Sequence, residues 1–360
     1  MGLFLIVNIT EWALPLYNQS MIIDSFPDRV ITVKGQKFLY FGGTSYLGMA
    51  TLNEFLKILS NNFDKWGSSY GSSRNSNVKL SIYDKFENQF SADVGAQDAA
   101  AVSSGMLAGK FVIEYLSKTT TSFYHYPKTH PAVIGPGSLP LFIDGKINEH
   151  LLNDLPEEVV ISADAILSLE IIPTNFDFLK DISPTKIITL VVDESHSLGI
   201  VGENGGGIFK TIPMENLKRK ILISSLGKAL GLSLGIICGD RLFIDTIKSE
   251  TNFISASATN PAYLATYLEA QKIYEEQRSK LKNNLEFISS NLNYDKKYKF
   301  DKNYPVIYSN DETVFSSLLD DHIVITRFKY PTYKNYMNRI VITANHTKHD
   351  LEKLVNLLNK

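Results

Sequence analysis

The sequence predicts an α/β protein built on a mostly parallel sheet, with a smaller α+β portion at its carboxyl end. Three observations point there: short apolar runs recur along the chain, helical stretches alternate with them, and two of the runs end abruptly in polar and glycine residues. Parallel strands covered on both faces read as continuous apolar runs, and they present side chains to a site at their carboxyl ends.

Taken in order, the chain opens on an apolar run from Gly2 to Val7 that reads as a short strand or arm. It has neither a basic stretch before it nor a small-residue cleavage site, and Ile6 stands where a myristoylation signal needs Ser or Thr. Residues 1–45 are set apart as an N-terminal arm, 46–260 as the large domain, and 261–360 as a linking helix with a small C-terminal domain. A helix is expected over Ser81–Ala92, a strand over Ala99–Val102, and a second helix over Met106–Leu116 after the turn Ser103-Ser104-Gly105. Strands follow at Val159–Ile161, Lys186–Val192 and Lys220–Ile223. After Pro261 the pattern turns helical to about Asn291, with Leu264, Leu268, Ile273 and Leu281 at helical spacing. Strands at Pro305–Ser309, His322–Arg327 and Arg339–Thr343 precede a last helix, capped by Thr347 and Asp350 and burying Leu351, Leu354, Val355 and Leu358.

Composition narrows the function. A chain of 360 residues, 44% hydrophobic, can bury a substantial core. Its net charge of −2 gives no basic field for nucleic acid. The single Cys238 allows no intramolecular disulfide, no Cys/His cluster has metal-ligand spacing, and a reducing cytoplasm fits. No apolar run approaches the roughly 20 residues of a membrane helix.

The chemistry is concentrated where two runs end. Leu190-Val191-Val192 delivers Asp193, and Ile221-Leu222-Ile223 leads to Ser225 and Lys228. An acid and an amine presented side by side suit pyridoxal 5'-phosphate, whose ring nitrogen needs a carboxylate and whose aldehyde bonds an amine. A phosphate wants backbone N–H groups at a helix start, and Ser104-Gly105-Met106 supplies such a turn. The glycines at 202, 205, 206 and 207 do not open a helix after a strand and have no acidic partner about 20 residues on, so they read as a flexible loop near the site, not a dinucleotide fingerprint.

Asp193-x-x-His196-Ser197-x-Gly199, followed by Ser225-x-Gly227-Lys228-Ala229-x-Gly231, resembles the α-oxoamine synthase family of pyridoxal-phosphate enzymes. The resemblance runs from about Phe38 to the carboxyl terminus and implies the fold-type-I, aspartate aminotransferase-like architecture. Gly71-Ser72-Ser73-Arg74 and Phe86-Glu87 keep the family's spacing, while Val78 and Leu80 replace its Gly and its frequent His.

By this resemblance Lys228 anchors the cofactor and serves as general base, Asp193 pairs with the pyridine nitrogen, and His196 bonds the phenolic oxygen or the acyl carbonyl. His130, in Lys128-Thr129-His130-Pro131, stacks on the ring, with His125 as the nearby rival. Ser104, Gly105 and Met106 hold the phosphate and Ser225 adds a hydroxyl. In an expected homodimer, Ser255 or Ser257 reaches the partner's phosphate. Arg339 takes the amino-acid carboxylate. Ser45 lies in Thr44-Ser45-Tyr46-Leu47-Gly48, where the family has Asn-Asp-Tyr-Leu-Gly, and Leu234-Gly235 replaces a paired glycine. Both departures fall where substrates are handled.

The implied reaction joins a small amino acid to an acyl thioester, carried on CoA or an acyl carrier protein, with loss of CO2 and release of thiol. Within the family the biotin-pathway condensation of alanine with a pimeloyl thioester is preferred, as a common bacterial form. The rivals are another family member acting on serine or glycine, an aminotransferase or lyase of the same fold, and a pyridoxal-phosphate-binding protein without synthase activity. Retention of Asp193, His196, Lys228 and Arg339 speaks against the last.

Overall fold

The computed structural model describes residues 21–293, 297–328 and 336–360, so the apolar run from Gly2 to Val7 lies outside the described residues. Residues 45–281 form one compact unit, and the described residues of 1–44 and 282–360 form another. In chain order the strands are β1 (Val30–Val33), β2 (Gln36–Phe41), β3 (Asp98–Val102), β4 (Phe123–His125), β5 (Leu139–Pro140), β6 (Phe142–Ile143), β7 (Lys146–Ile147), β8 (Glu157–Asp164), β9 (Lys186–Asp193), β10 (Leu217–Ser225), β11 (Gly235–Gly239), β12 (Val306–Ser309), β13 (Ile323–Phe328) and β14 (Met337–Val341). The helices are α1 (Asn53–Trp66), α2 (Ser81–Val94), α3 (Gly105–Leu116), α4 (Arg241–Ser249), α5 (Thr251–Ser255), α6 (Pro261–Glu269), α7 (Gln271–Asn291), α8 (Thr313–Asp320) and α9 (Lys348–Leu358).

The larger unit is organised on a seven-stranded sheet in the order β3-β11-β10-β9-β8-β4-β5. Its pairs are parallel except those made by β11, which runs against both β10 and β3. This is the mostly parallel sheet that the apolar runs predict. A strand covered on both faces needs apolar residues at successive positions, and β9 supplies them. Ile188, Leu190 and Val192 pack with Val159, Ile161 and Phe178 on one face, while Val191 packs with Val160, Ile221 and Phe111 on the other. On that second face α3 and α4 bury Val112, Ile244 and Ile247.

The smaller unit has a five-stranded sheet in the order β1-β2-β13-β14-β12, in which only β13 and β2 pair in parallel. Helix α9 carries the expected capping box: the Thr347 hydroxyl accepts from the Asp350 N–H, and the Asp350 carboxylate accepts from the Thr347 N–H at 2.8 Å. Its buried face is the expected one, Leu351, Leu354, Val355 and Leu358.

Two boundaries differ from the sequence expectation. Residues 30–41, expected within an arm, are two paired strands, and β2 bonds β13, with Leu39 registered to Ile323. The single helix expected after Pro261 is two, because Ala270 leaves helical geometry at φ −94° and ψ 9°. Residues 261–281 belong with the larger unit, so the second unit starts later than position 261.

A candidate active site at the carboxyl ends of three parallel strands

The last residues of β8 and β9, Asp164 and Asp193, are registered partners, and Asp193 is itself registered with Ile223, two residues before the end of β10. The site is therefore built where the sheet's parallel strands stop, the place at which such sheets present functional groups. Asp193 is buried, and one of its carboxylate oxygens accepts the Ser195 N–H at 2.9 Å. The Ser195 hydroxyl in turn accepts the Ser225 N–H at 2.9 Å, tying the ends of β9 and β10 together.

Lys228 follows in the turn between β10 and β11, half-buried, and that turn is closed by the Leu226 N–H on the Leu234 carbonyl and the Leu232 N–H on the Leu226 carbonyl. Leu234, which the sequence marks as a departure from the family, is thus a buried residue of the turn that holds Lys228.

Opposite Ser225 begins α3. Ser104 caps it, its hydroxyl accepting the Leu107 N–H at 3.2 Å. The N–H groups of Gly105 and Met106 make no hydrogen bond among the described residues. Gly105 is required by contact: a Cβ there would lie 2.7 Å from the Ser225 backbone nitrogen. Two free N–H groups at a helix start, closed against a serine, fit a phosphate.

His130 sits at the end of the loop after β4, its N–H donating to Asp164 at 3.0 Å and its Nδ1 accepting the Ala132 N–H at 3.2 Å. Part of the imidazole meets solvent, yet desolvation lowers its pKa; the Asp193 charge opposes this, and Lys228 and Lys110 add to it. The ring thus lies in the field of both the acid and the amine. His125, the rival histidine, is engaged elsewhere, with Nδ1 2.9 Å from the Ser138 hydroxyl.

His196 is half-buried on the loop after β9, and its Nδ1 lies 2.9 Å from the hydroxyl of buried Tyr46. Ser45 is half-buried beside Tyr46, its carbonyl accepting the Gly48 N–H. Ser257 is exposed between α5 and α6. Arg339 lies on β14 of the smaller unit, where its charge opposes the upward shift that burial imposes on the Tyr40 phenol. Upstream, Arg74 and Glu87 meet in an ion pair of 2.6 Å, and the same carboxylate accepts the Ala101 N–H of β3 at 2.7 Å.

The structure adds residues that the sequence reading passes over. Asp164 is buried, and its carboxyl is pushed well above the usual range by desolvation first and the Asp193 charge second; the His130 N–H and Lys228 oppose the shift. Glu194, next to Asp193, is fully buried. One of its oxygens accepts the N–H groups of Ile208 and Phe209 at 2.9 and 2.7 Å, and Ser197 donates to the other. Burial raises its pKa to about 7 against those bonds.

This corrects the reading of the glycine run as a flexible loop. The Gly207 N–H bonds the Val201 carbonyl, the Gly199 N–H bonds the Gly205 carbonyl, and a Cβ on Gly207 would fall 2.5 Å from the Glu194 carboxylate. The loop is tied to a buried acid, and glycine at φ +76° allows the approach.

Among the described residues no group of three or more His, Cys, Asp or Glu is placed to hold a metal ion, and no helix is long and apolar enough to cross a membrane. The model of one family, aminotransferase class I and II, matches residues 174–358. The 8-amino-7-oxononanoate synthase of Petrotoga mobilis is 27% identical over 358 residues, covering 92% of this chain and 90% of that protein. The serine palmitoyltransferase of Sphingobacterium spiritivorum is 24% identical over 365 residues, covering 94% and 90%. A solved serine palmitoyltransferase from S. paucimobilis, with PLP and myriocin bound, has a TM-score of 0.78 at 15% identity over 94% of this chain and 91% of its own. That likeness is one of fold.

Proposed function

The chain belongs to the aminotransferase class I and II family and, within it, to the pyridoxal-phosphate-dependent α-oxoamine synthases, and from that premise we propose that it condenses alanine with a pimeloyl thioester as an 8-amino-7-oxononanoate synthase. The observation that carries the chemistry is the convergence of Asp193 and Lys228 from neighbouring strand ends, with the His130 ring in the field of both. When bound, the cofactor supplies an electron sink for the carbanion formed at the amino acid's α-carbon.

This chain's residues divide the remaining work. Lys228 would hold the cofactor through its aldehyde, and its amine would serve as the base for the proton at the amino acid's α-carbon. Asp193 keeps a negative charge beside the ring nitrogen, held in place by the Ser195 N–H. His130 covers the ring, and His196 donates to the phenolic oxygen or the acyl carbonyl. Gly105, Met106 and Ser225 take the phosphate with Ser104 fixing the turn, and Arg339 forks onto the substrate carboxylate. Ser257 completes the phosphate site of a second copy in a cytoplasmic homodimer, and Ser45 borders the substrates.

Serine palmitoyltransferase is the second reading, favoured by a relative that covers 94% of the chain. Protein loaded with pyridoxal phosphate is offered alanine with pimeloyl-CoA and serine with palmitoyl-CoA, and released thiol is measured. Thiol from the first pair supports the proposal, and thiol from the second alone replaces it. A keto acid formed without any thiol would move the protein to the aminotransferases. The same assay with pimeloyl-loaded carrier protein decides which thioester is used.

A further inference from the structure

We propose that Asp164 and Asp193 form a carboxyl pair that keeps one proton, and that Asp164 holds it as a positioning residue, leaving Asp193 the carboxylate that faces the cofactor's ring nitrogen. The inference deepens the reading above and rests on it for the cofactor.

The geometry begins with register. Asp164 and Asp193 are the final matched pair of β8 and β9, and matched residues on parallel neighbours leave the sheet on the same face, with the strands about 4.8 Å apart. Asp164 is 3% exposed and Asp193 6%. Two carboxylates leaving one face of the sheet from neighbouring strand ends, out of water, repel strongly enough that one of them stays protonated.

Three neighbouring groups bear on where the proton rests. Asp193 faces Asp164 from β9, Lys228 from the turn after β10, and His130 from the loop after β4 through its backbone N–H. The positive charge of Lys228 is shared by the pair. Asp193 alone is braced by the turn that follows its own strand, since Ser195 donates to it and is locked to Ser225. Asp164 lies deeper, and burial drives its carboxyl toward the neutral form.

As a neutral acid Asp164 still accepts the His130 N–H, so it keeps the loop carrying the ring-covering histidine against the end of β8. It also keeps a second negative charge out of the ring nitrogen's surroundings. An ionised Asp164 would compete with Asp193 for that nitrogen.

The test uses protein labelled with 13C at aspartate carboxyls, which leaves out the buried acid Glu194. The expected result is an aspartate carboxyl that keeps its proton well above the usual carboxylate range in the wild type and is missing in Asp164→Asn, whose side chain mimics the protonated acid. If every aspartate carboxyl of the wild type ionises below about pH 5, or the protonated signal survives Asp164→Asn, the proposal is overturned. The wild-type titration decides even if the variant does not fold.

Cofactor affinity, read by fluorescence quenching, supplies the second arm. Asp164→Asn is expected to change it by less than about threefold, whereas Asp193→Asn weakens it by about a hundredfold. Equal losses would overturn the assignment of the proton to Asp164. Should pyridoxal phosphate fail to bind the wild type at all, the cofactor reading falls, while the carboxyl signal still reports on the pair.

Discussion

The Tyr46 hydroxyl lies 2.9 Å from Nδ1 of His196, and the phenol is wholly buried while the imidazole is half-buried. The phenol can donate to Nδ1 or accept from it, so this one bond couples the Tyr46 hydroxyl to the tautomer of His196. The other ring nitrogen, Nε2, is left to face whatever His196 serves.

Tyr46→Phe keeps the ring and removes the hydroxyl that bonds His196. It is expected to lower kcat by about 10- to 100-fold, with a change in Tm of only about 2–4 °C. Steady-state kinetics beside a melting curve separate the two effects. Unchanged kcat would mean that the phenol does not set the state of His196.

Gly105→Ala tests the phosphate site. The added methyl would meet the backbone nitrogen and Cβ of Ser225, each at 2.7 Å, and no flexible side-chain end can yield there. The start of α3 must move from Ser225, and affinity for pyridoxal phosphate is expected to fall by about 10- to 100-fold. Full affinity in the variant would place the phosphate elsewhere.

Glu194 gives the larger unit a pH dependence of definite sign. Its pKa rises from 4.5 to about 7 through burial, so the folded protein binds a proton that the unfolded chain has lost. That stabilisation is full below 4.5 and disappears as pH rises through about 7, on the order of 3 kcal/mol in all. Glu194→Gln keeps an oxygen for the Ile208 and Phe209 N–H groups and cannot titrate. The wild type's Tm relative to the variant is expected to fall between pH 4.5 and about 7, and a constant difference would show that Glu194 does not titrate there.

The sequence made the strands and their cargo legible because a run that is apolar at every position and stops at a charged residue has few other readings. Asp193 stands at such a stop, and Lys228 follows one after Ser224, Ser225, Leu226 and Gly227. Asp164 follows a run that Ser162 interrupts, and the alanines on either side of it give no glycine turn, so it resembles an isolated surface acid. The tie from Glu194 to Ile208 and Phe209 spans 14 and 15 residues and follows no period. The break at Ala270 falls among Glu269, Ala270 and Gln271, all good helix formers, so local propensity gives no sign of it. Strand β2 is partnered by β13 at the far end of the chain, a pairing that alternation alone cannot reveal.

The smaller unit is expected to be acid-sensitive through His346. This imidazole is buried, stacked on Phe41 with ring centroids 4.0 Å apart. Its Nδ1 accepts the Thr343 N–H at 2.9 Å, which places the ring proton on Nε2, donating to the Tyr40 carbonyl at 3.0 Å. A second proton would have to displace the Thr343 N–H inside an apolar stack, and burial accordingly lowers the pKa from 6.5 to about 4. The sign is opposite to that of Glu194: the unfolded chain takes up the proton first, so this stability is present above 6.5 and is lost as pH falls to about 4, roughly 3 kcal/mol in full. Denaturant unfolding followed at pH 7 and pH 5 should show the wild type losing roughly 2 kcal/mol relative to His346→Asn, which has no titratable group at this position. The comparison with the variant cancels the contribution of Glu194, which changes in the other direction over the same interval. If wild type and variant lose stability in parallel, the imidazole takes up its proton as readily in the folded protein as in the unfolded chain, and the hydrogen-bond assignment at Nδ1 is wrong.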